Sequence, residues 1–266
     1  MRDEIVPGLR KLTDAVHAEG AAACLQLGHA GYFASPAAAG ARPLGASSMT
    51  CMYTLTRCRQ ANEQDLERLE RDFVPAARRA VSGAGFDAVE LHLGHGYLLS
   101  QFLSPHTNRR RDRYGGDLEG RMRFPLRVAR AVREAVGDEA AVIAKTNLSD
   151  GFEGGLDLDE AVEVARALEA AGLDGLVLSG GFVSKTPFYM LRGELPVTEM
   201  VRNEPRRLRR TGLRLFGRLF VPYHPYRDMF FFEPARRVRD AVSMPLSLLG
   251  GIRSLDHVGQ ALAAQV

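Results

Sequence analysis

The run His92-Leu-Gly-His-Gly-Tyr97 places two imidazoles and a phenol within six residues at the end of an apolar stretch. Where a strand gives way to a turn, both imidazoles can face one pocket. Paired there they suit a developing oxyanion, because donors fixed at a carbonyl oxygen stabilise the charge that builds up on it, and Tyr97 could pass a proton to the adjacent carbon. Two plainer readings stand beside this one: a packed histidine pair, or a metal site for which only His29 offers a third ligand. Lys145 is a cation at the end of another apolar run, a costly position unless it meets an anion, an electron-rich ring or a substrate carbonyl. As a Schiff-base nucleophile it would instead make the chain a lyase. Gly250 and Gly251 precede Ile252, Arg253 and a helix beginning near Leu255. That arrangement presents backbone N–H groups beside a cation, as a phosphate site does, although a tight turn alone also accounts for the glycines.

These residues need elements that bring them to one rim. Short apolar runs at 22–27, 88–93, 141–145, 175–179 and 246–250 lack strict alternation, as strands covered on both faces do. Between them, Leu66, Leu69, Phe73, Ala77 and Ala80 keep helical spacing, as do Phe124, Val128, Val132 and Ala135, and Ala161, Ala165, Leu168 and Ala171. Asn62 is placed to cap the first of these helices and Asp159 the third, with stops at Gly137 and Gly172. Strand and helix therefore alternate, which predicts an α/β fold of the TIM-type (β/α)8 barrel class. In that fold, polar residues gathered at strand C-termini form the active-site face. Gln26, His29, His92, His95, Lys145, Asn147, Gly180 and Gly181 all fall there. The long segments 28–56 and 183–227 also follow strand ends, where loops shape a substrate site. No linker divides the chain, so residues 1–266 read as a single domain. Only about five of the eight strand–helix units can be placed. With a helix-like opening (Leu9, Leu12, Val16) and another helix at the last residues, the barrel is expected to be incomplete.

The composition, 45% hydrophobic and 25% charged over 266 residues, is that of an ordinary globular domain. The net charge of +3 gives no reason to invoke nucleic acid or a membrane surface. The basic run 205–214 carries Leu208 and Leu213, with Phe216 just beyond, at near-helical spacing, so a surface helix is expected there. Arg109 to Arg113 sit with Asp112 and Asp117 in a loop that ion pairs could anchor. No apolar run approaches the roughly 18 residues of a membrane span, the charged opening does not read as a secretory leader, and three cysteines cannot all pair within one chain. Free thiols and a reducing, cytoplasmic setting are the expectation.

Taken together, Gln26-Leu-Gly-His-Ala-Gly31, the segment Gly85-Phe-Asp-Ala-Val-Glu-Leu-His-Leu-Gly-His-Gly-Tyr-Leu-Leu-Ser-Gln-Phe-Leu-Ser-Pro105 and Thr107-Asn-Arg-Arg-Arg-Asp-Arg-Tyr-Gly-Gly-Asp-Leu-Glu-Gly-Arg-Met-Arg-Phe124 closely resemble the old yellow enzyme family of NAD(P)H:flavin oxidoreductases. The likeness continues through Ala144-Lys-Thr-Asn147, Leu178-Ser-Gly-Gly181, Met244-Pro245 and Gly250-Gly-Ile252. It implies an FMN-binding barrel in which Gln26 bonds the flavin pyrimidine edge, Lys145 lies near its electron-rich N1/O2 side, and Gly250 and Gly251 bind the phosphate. His92 and His95 would hold the oxygen of a small-molecule substrate. A hydride would pass from NADH or NADPH through the flavin to the β-carbon of an activated alkene such as an enone, with Tyr97 protonating the α-carbon. Many relatives have arginine where this chain has Lys145, which keeps the charge but loses the planar fork. By the same comparison, the first two barrel strands and the last are missing. An open barrel exposes strand edges and core, so the isolated chain is expected to associate, homo-oligomers included. The alternatives carried forward are a catalytically silent fragment of that family and the Lys145 lyase.

Overall fold

The computed structural model describes residues 2–51, 54–220 and 222–266. Its centre is a five-stranded, wholly parallel sheet with strands in chain order: β1 (Cys24–Leu27), β2 (Ala88–Leu93), β3 (Ala141–Asn147), β4 (Gly175–Ser179) and β5 (Leu246–Leu248). The register is continuous, Gln26 lying beside Glu90, His92 beside Lys145, and Asn147 beside Ser179. Parallel neighbours need crossovers, and helices supply them. After α1 (Val6–Ala18), the α-helices of six residues or more are α2 (Glu63–Arg78), the short α3 (Leu98–Leu103), α4 (Leu118–Val136), α5 (Leu158–Ala170), α6 (Val197–Asn203), α7 (Arg207–Phe220), α8 (Phe232–Arg239) and α9 (Leu255–Ala263).

Local chemistry sets the helix ends. Asn62 caps α2 in a reciprocal capping box: its side chain accepts from the Asp65 N–H at 2.9 Å, and the Asp65 carboxylate accepts from the Asn62 N–H at 3.0 Å. Asp117 caps α4, which stops at Gly137 with φ 57°. The cap of α5 is Asp157, which accepts from Glu160 N–H at 2.9 Å; the expected Asp159 lies inside the first turn, where its charge meets the helix's positive end. The basic run forms α7, as its apolar spacing predicts. Arg110 anchors its own loop, donating to the carbonyls of Ala46 and Ala61 and pairing with Asp112 at 2.5 Å.

Helices α2, α4, α5 and α8 lie side by side over one face of the sheet. Val89, Leu91, Leu93, Val142, Ala144, Leu176 and Leu178, all on that face, form the core with the helices' apolar stripes. The other face points to what would be the barrel interior. Among the described residues the sheet does not close: β1 pairs only with β2, and β5 only with β4. A groove lined by Leu9, Leu25, Leu27, Leu69 and Phe73 lies beside β1. This is an arc of an α/β barrel. No helix among the described residues is long and apolar enough to cross a membrane.

Candidate active site

The side chains expected to act together converge on the inner face and C-terminal rim of β1–β4. His92 is the last inward residue of β2, and its ring centroid lies 5.2 Å from that of His95 and 4.7 Å from that of Tyr97. Tyr97 also meets Phe33, centroid to centroid at 5.7 Å, so the loop after β1 closes one side of the cluster. His95 has φ 61°, an unusual conformation for a residue with a Cβ, and its neighbours hold it there. Its N–H donates to Asn147 Oδ1 at 3.1 Å, its carbonyl accepts from Val183 N–H at 3.1 Å, and its Nε2 lies 2.6 Å from Ser179 Oγ. Asn147 is fixed in turn, donating from Nδ2 to Asp150 at 2.9 Å and to the Gly181 carbonyl at 2.8 Å. Gly96, at φ 82°, must lack a side chain because a Cβ there would stand 2.6 Å from the Phe182 ring.

Burial, then the nearby His95 and Lys145, pushes the His92 imidazole down to about 4. Burial and Lys145 lower His95 as well, with Glu90 opposing. At neutral pH both rings are therefore uncharged, each able to donate one N–H. His92 Nδ1 is buried without a partner in the protein. A buried polar atom left unsatisfied is costly, and a ligand oxygen or nitrogen at this position would relieve it.

Lys145, level with His92, forms a second group with Glu90 and Gln26, which lie two residues further down the strands. Lys145 Nζ lies 3.1 Å from Glu90 Oε1, the same oxygen that accepts a hydrogen bond from the Gln26 amide. Glu90 escaped notice in the sequence although it alternates with His92 at i, i+2, the spacing that puts two strand residues on one face. Ser179 also escaped notice, and Asn147 was placed at the rim without a role, because their work is done across strands. A Lys145 held in an ion pair is not in the apolar surroundings that free a Schiff-base amine, which removes the main support for the lyase.

His29 lies apart from the pair, its Nδ1 accepting from Gly31 N–H at 3.0 Å. Among the described residues no set of three His, Cys, Asp or Glu could hold a metal. Gly250 and Gly251, at φ 97° and 78°, follow β5, but a Cβ on Gly250 would lie 2.6 Å from Phe230, and one on Gly251 2.8 Å from the Arg227 carbonyl. Their conformation and packing account for the glycines. Arg253, the cation beside that helix start, pairs with Asp228 at 2.8 Å, while Ser254 Oγ accepts from His257 N–H at 3.2 Å to cap α9.

The donor set on the inner face fits FMN. A primary amide such as Gln26 can match the alternating donors and acceptors of a pyrimidine edge, Lys145 supplies positive charge on the same face, and the neutral imidazoles stand at the rim beside it.

The profile of the NADH:flavin oxidoreductase / NADH oxidase family matches residues 1–181. A 4,4'-dithiodibutanoate disulfide reductase of Rhodococcus erythropolis is 45% identical over 263 residues, covering 98% of this chain and 65% of that protein. An NADH oxidase of Thermoanaerobacter brockii is 40% identical over 186 residues, covering 70% of this chain and 28% of that protein. The chain thus spans less than two thirds of the length of either relative. In solved structures, the fold matches histamine dehydrogenase from Rhizobium sp. 4-9 with TM-score 0.78 and 26% identity over 98% of this chain and 34% of the other. It matches an old yellow enzyme homologue from Zymomonas mobilis with TM-score 0.70 and 23% identity, over 97% and 64% of the two chains. The chain belongs to the NADH:flavin oxidoreductase / NADH oxidase family, the old yellow enzyme family, whose cofactor is FMN and whose reductant is NADH or NADPH.

Proposed function

We propose that residues 1–266 form one FMN-binding barrel domain, incomplete as it stands, that reduces activated alkenes such as enones. The observation that carries this reading is the neutral His92–His95 pair beside Tyr97, with His92 Nδ1 buried and unpartnered. FMN, when bound, supplies the hydride it has taken from NADH or NADPH. Gln26 and Lys145 would hold its ring, and the backbone at Gly250 and Gly251 its phosphate. His92 and His95 each donate an N–H to the substrate carbonyl oxygen, stabilising negative charge as the β-carbon gains its hydride. Tyr97 gives its hydroxyl proton to the α-carbon, and solvent restores it. Asn147 and Ser179 act through His95, keeping its ring and its strained backbone in place. Three free cysteines fit a reducing, cytoplasmic setting, and the free edges of β1 and β5 fit self-association.

The Rhodococcus relative's name supports a second substrate class, a disulfide. Hydride addition to one sulfur breaks the S–S bond, giving a thiol and a thiolate, and the same Tyr97 hydroxyl can protonate the thiolate. Steady-state turnover of NADH and NADPH with an enone and with an alkyl disulfide separates the two. Enone turnover that collapses in Tyr97→Phe supports the alkene reading. Disulfide turnover alone replaces it, and a folded, flavin-loaded chain that turns over neither is a silent member of the family.

A further inference from the structure

The segment 189–193 crosses the ends of β4 and β5 on the same rim as the imidazole pair. Met190 ties it to the site, its Sδ lying 3.4 Å from Ser179 Oγ, and Ser179 is the residue hydrogen-bonded to His95. Two residues on, Arg192 is half-buried among rings: its guanidinium carbon lies 4.1 Å from the Phe230 centroid, 4.9 Å from that of Tyr189 and 5.5 Å from that of Phe231. Phe231 reaches down to Gly180 at the end of β4, and Phe230 to Gly250 at the end of β5. The cation therefore stands on an aromatic floor laid over the strand ends.

Its partners are few. Nε donates to the Tyr189 carbonyl at 3.2 Å, the Tyr189 side chain also interacts with the guanidinium, and among the described residues no carboxylate pairs with it. Three other buried or half-buried arginines each pair with a carboxylate: Arg110 with Asp112, Arg121 with Glu160, Arg127 with Glu70. Beside Arg192 the neighbouring charged group is another cation, Arg227, which has no carboxylate partner among the described residues. His224, whose ring meets Tyr189 edge-on at 4.9 Å, leaves Nε2 buried and without a partner. Stacking fixes the plane of a guanidinium and leaves its edge N–H groups free to take both oxygens of an anion.

We propose that Arg192 is a specificity residue that binds a carboxylate carried by the substrate at a distance from its reacting group. This rests on the reading of the rim as a substrate site, and it adds the substrate's charge class to that reading. Arg192 makes two-point contact with the carboxylate over the Phe230 ring, and Arg227 adds attraction without a fixed geometry. An uncharged ester of the same shape gains neither.

The test measures binding as well as turnover, on the FMN-loaded chain. Calorimetry gives the dissociation constants of an aliphatic enone ending in a carboxylate and of its methyl ester, for the native chain, Arg192→Gln and Arg192→Lys. The native chain is expected to prefer the acid by about tenfold or more, Arg192→Gln to bring the two probes within about twofold, and Arg192→Lys to fall between them. If the glutamine variant fails to fold, the lysine variant and the loss of the native acid preference in high salt carry the same test. An acid preference that survives in Arg192→Gln, or no preference in the native chain, overturns the proposal. Dissociation constants of FMN and riboflavin are measured on the same variants; a loss of FMN affinity with riboflavin unchanged would assign the guanidinium to the cofactor phosphate and also overturn it. If Arg192 governs acid binding but neither probe is oxidising NADH, the anion site stands and the ene-reduction reading falls.

Discussion

On the outer face of the sheet Leu91, Leu93 and Leu178 lie beneath α2, α4 and α5 with 1% exposure or less, whereas on the inner face Glu90 and His92 are buried but Gln26, Lys145, Val177 and Ser247 remain partly or fully exposed. Both faces share one backbone and one register. The outer face is apolar and closed by helices, so its residues report on stability. The inner face carries Gln26, Glu90, His92, Lys145 and Asn147 in a polar file, so its residues report on ligands. In a closed barrel, layers of side chains would fill that interior. A charged file there needs another explanation, and a bound polar ring supplies one.

Substitutions can test this division. The largest effect is expected for Tyr97→Phe, which should slow substrate reduction by about 10²–10⁴-fold while leaving anaerobic bleaching of bound FMN by NADH largely unchanged, since only the second half-reaction uses the proton. Equal slowing of both half-reactions in stopped-flow absorbance would break the assignment. Leu91→Ala, on the outer face, should cost about 2–5 kcal/mol in urea unfolding with no selective change in the kinetics of whatever protein remains folded.

A pH titration comes next. In the folded chain His92 is protonated only near 4, against about 6.5 when unfolded, so the unfolded state binds the extra proton between those values. Stability therefore falls as pH drops from 6.5 toward 4, by on the order of 3 kcal/mol from this group. His92→Gln should flatten that limb of the urea-midpoint profile; an unchanged limb would mean that other groups set it. The smallest effect is expected for Gln26→Ala, which should weaken FMN binding by roughly tenfold, the worth of one hydrogen-bonded group, yet change stability by about 1 kcal/mol or less. A fall in stability with FMN affinity intact would place Gln26 with the structural face.

The parts of this arrangement legible in the sequence were those set by local order. The apolar runs located all five strands, two of them to the residue, and Asn62, Gly137 and Gly172 marked helix ends. The cluster His92, His95 and Tyr97 was visible because its members are adjacent in the chain. Contacts made across strands were not. Glu90 meets Lys145 through a register that joins residues 55 apart in the chain, and Ser179 reaches His95 over 84 positions. Asp157 in place of Asp159 is a two-residue ambiguity that two acidic residues near one helix start cannot resolve. The role proposed for Arg192 depends on three rings, Tyr189 from its own segment and Phe230 and Phe231 from another, which no spacing announces.

The measurement that bears most directly on the central claim is the visible spectrum of the purified chain after mixing with FMN and desalting, read beside its far-UV spectrum. The inner face described here predicts that flavin stays with the protein, near one per chain, and that NADH or NADPH bleaches it without oxygen. A folded chain that emerges colourless would contradict the claim that Gln26, Lys145 and the glycine turn hold FMN.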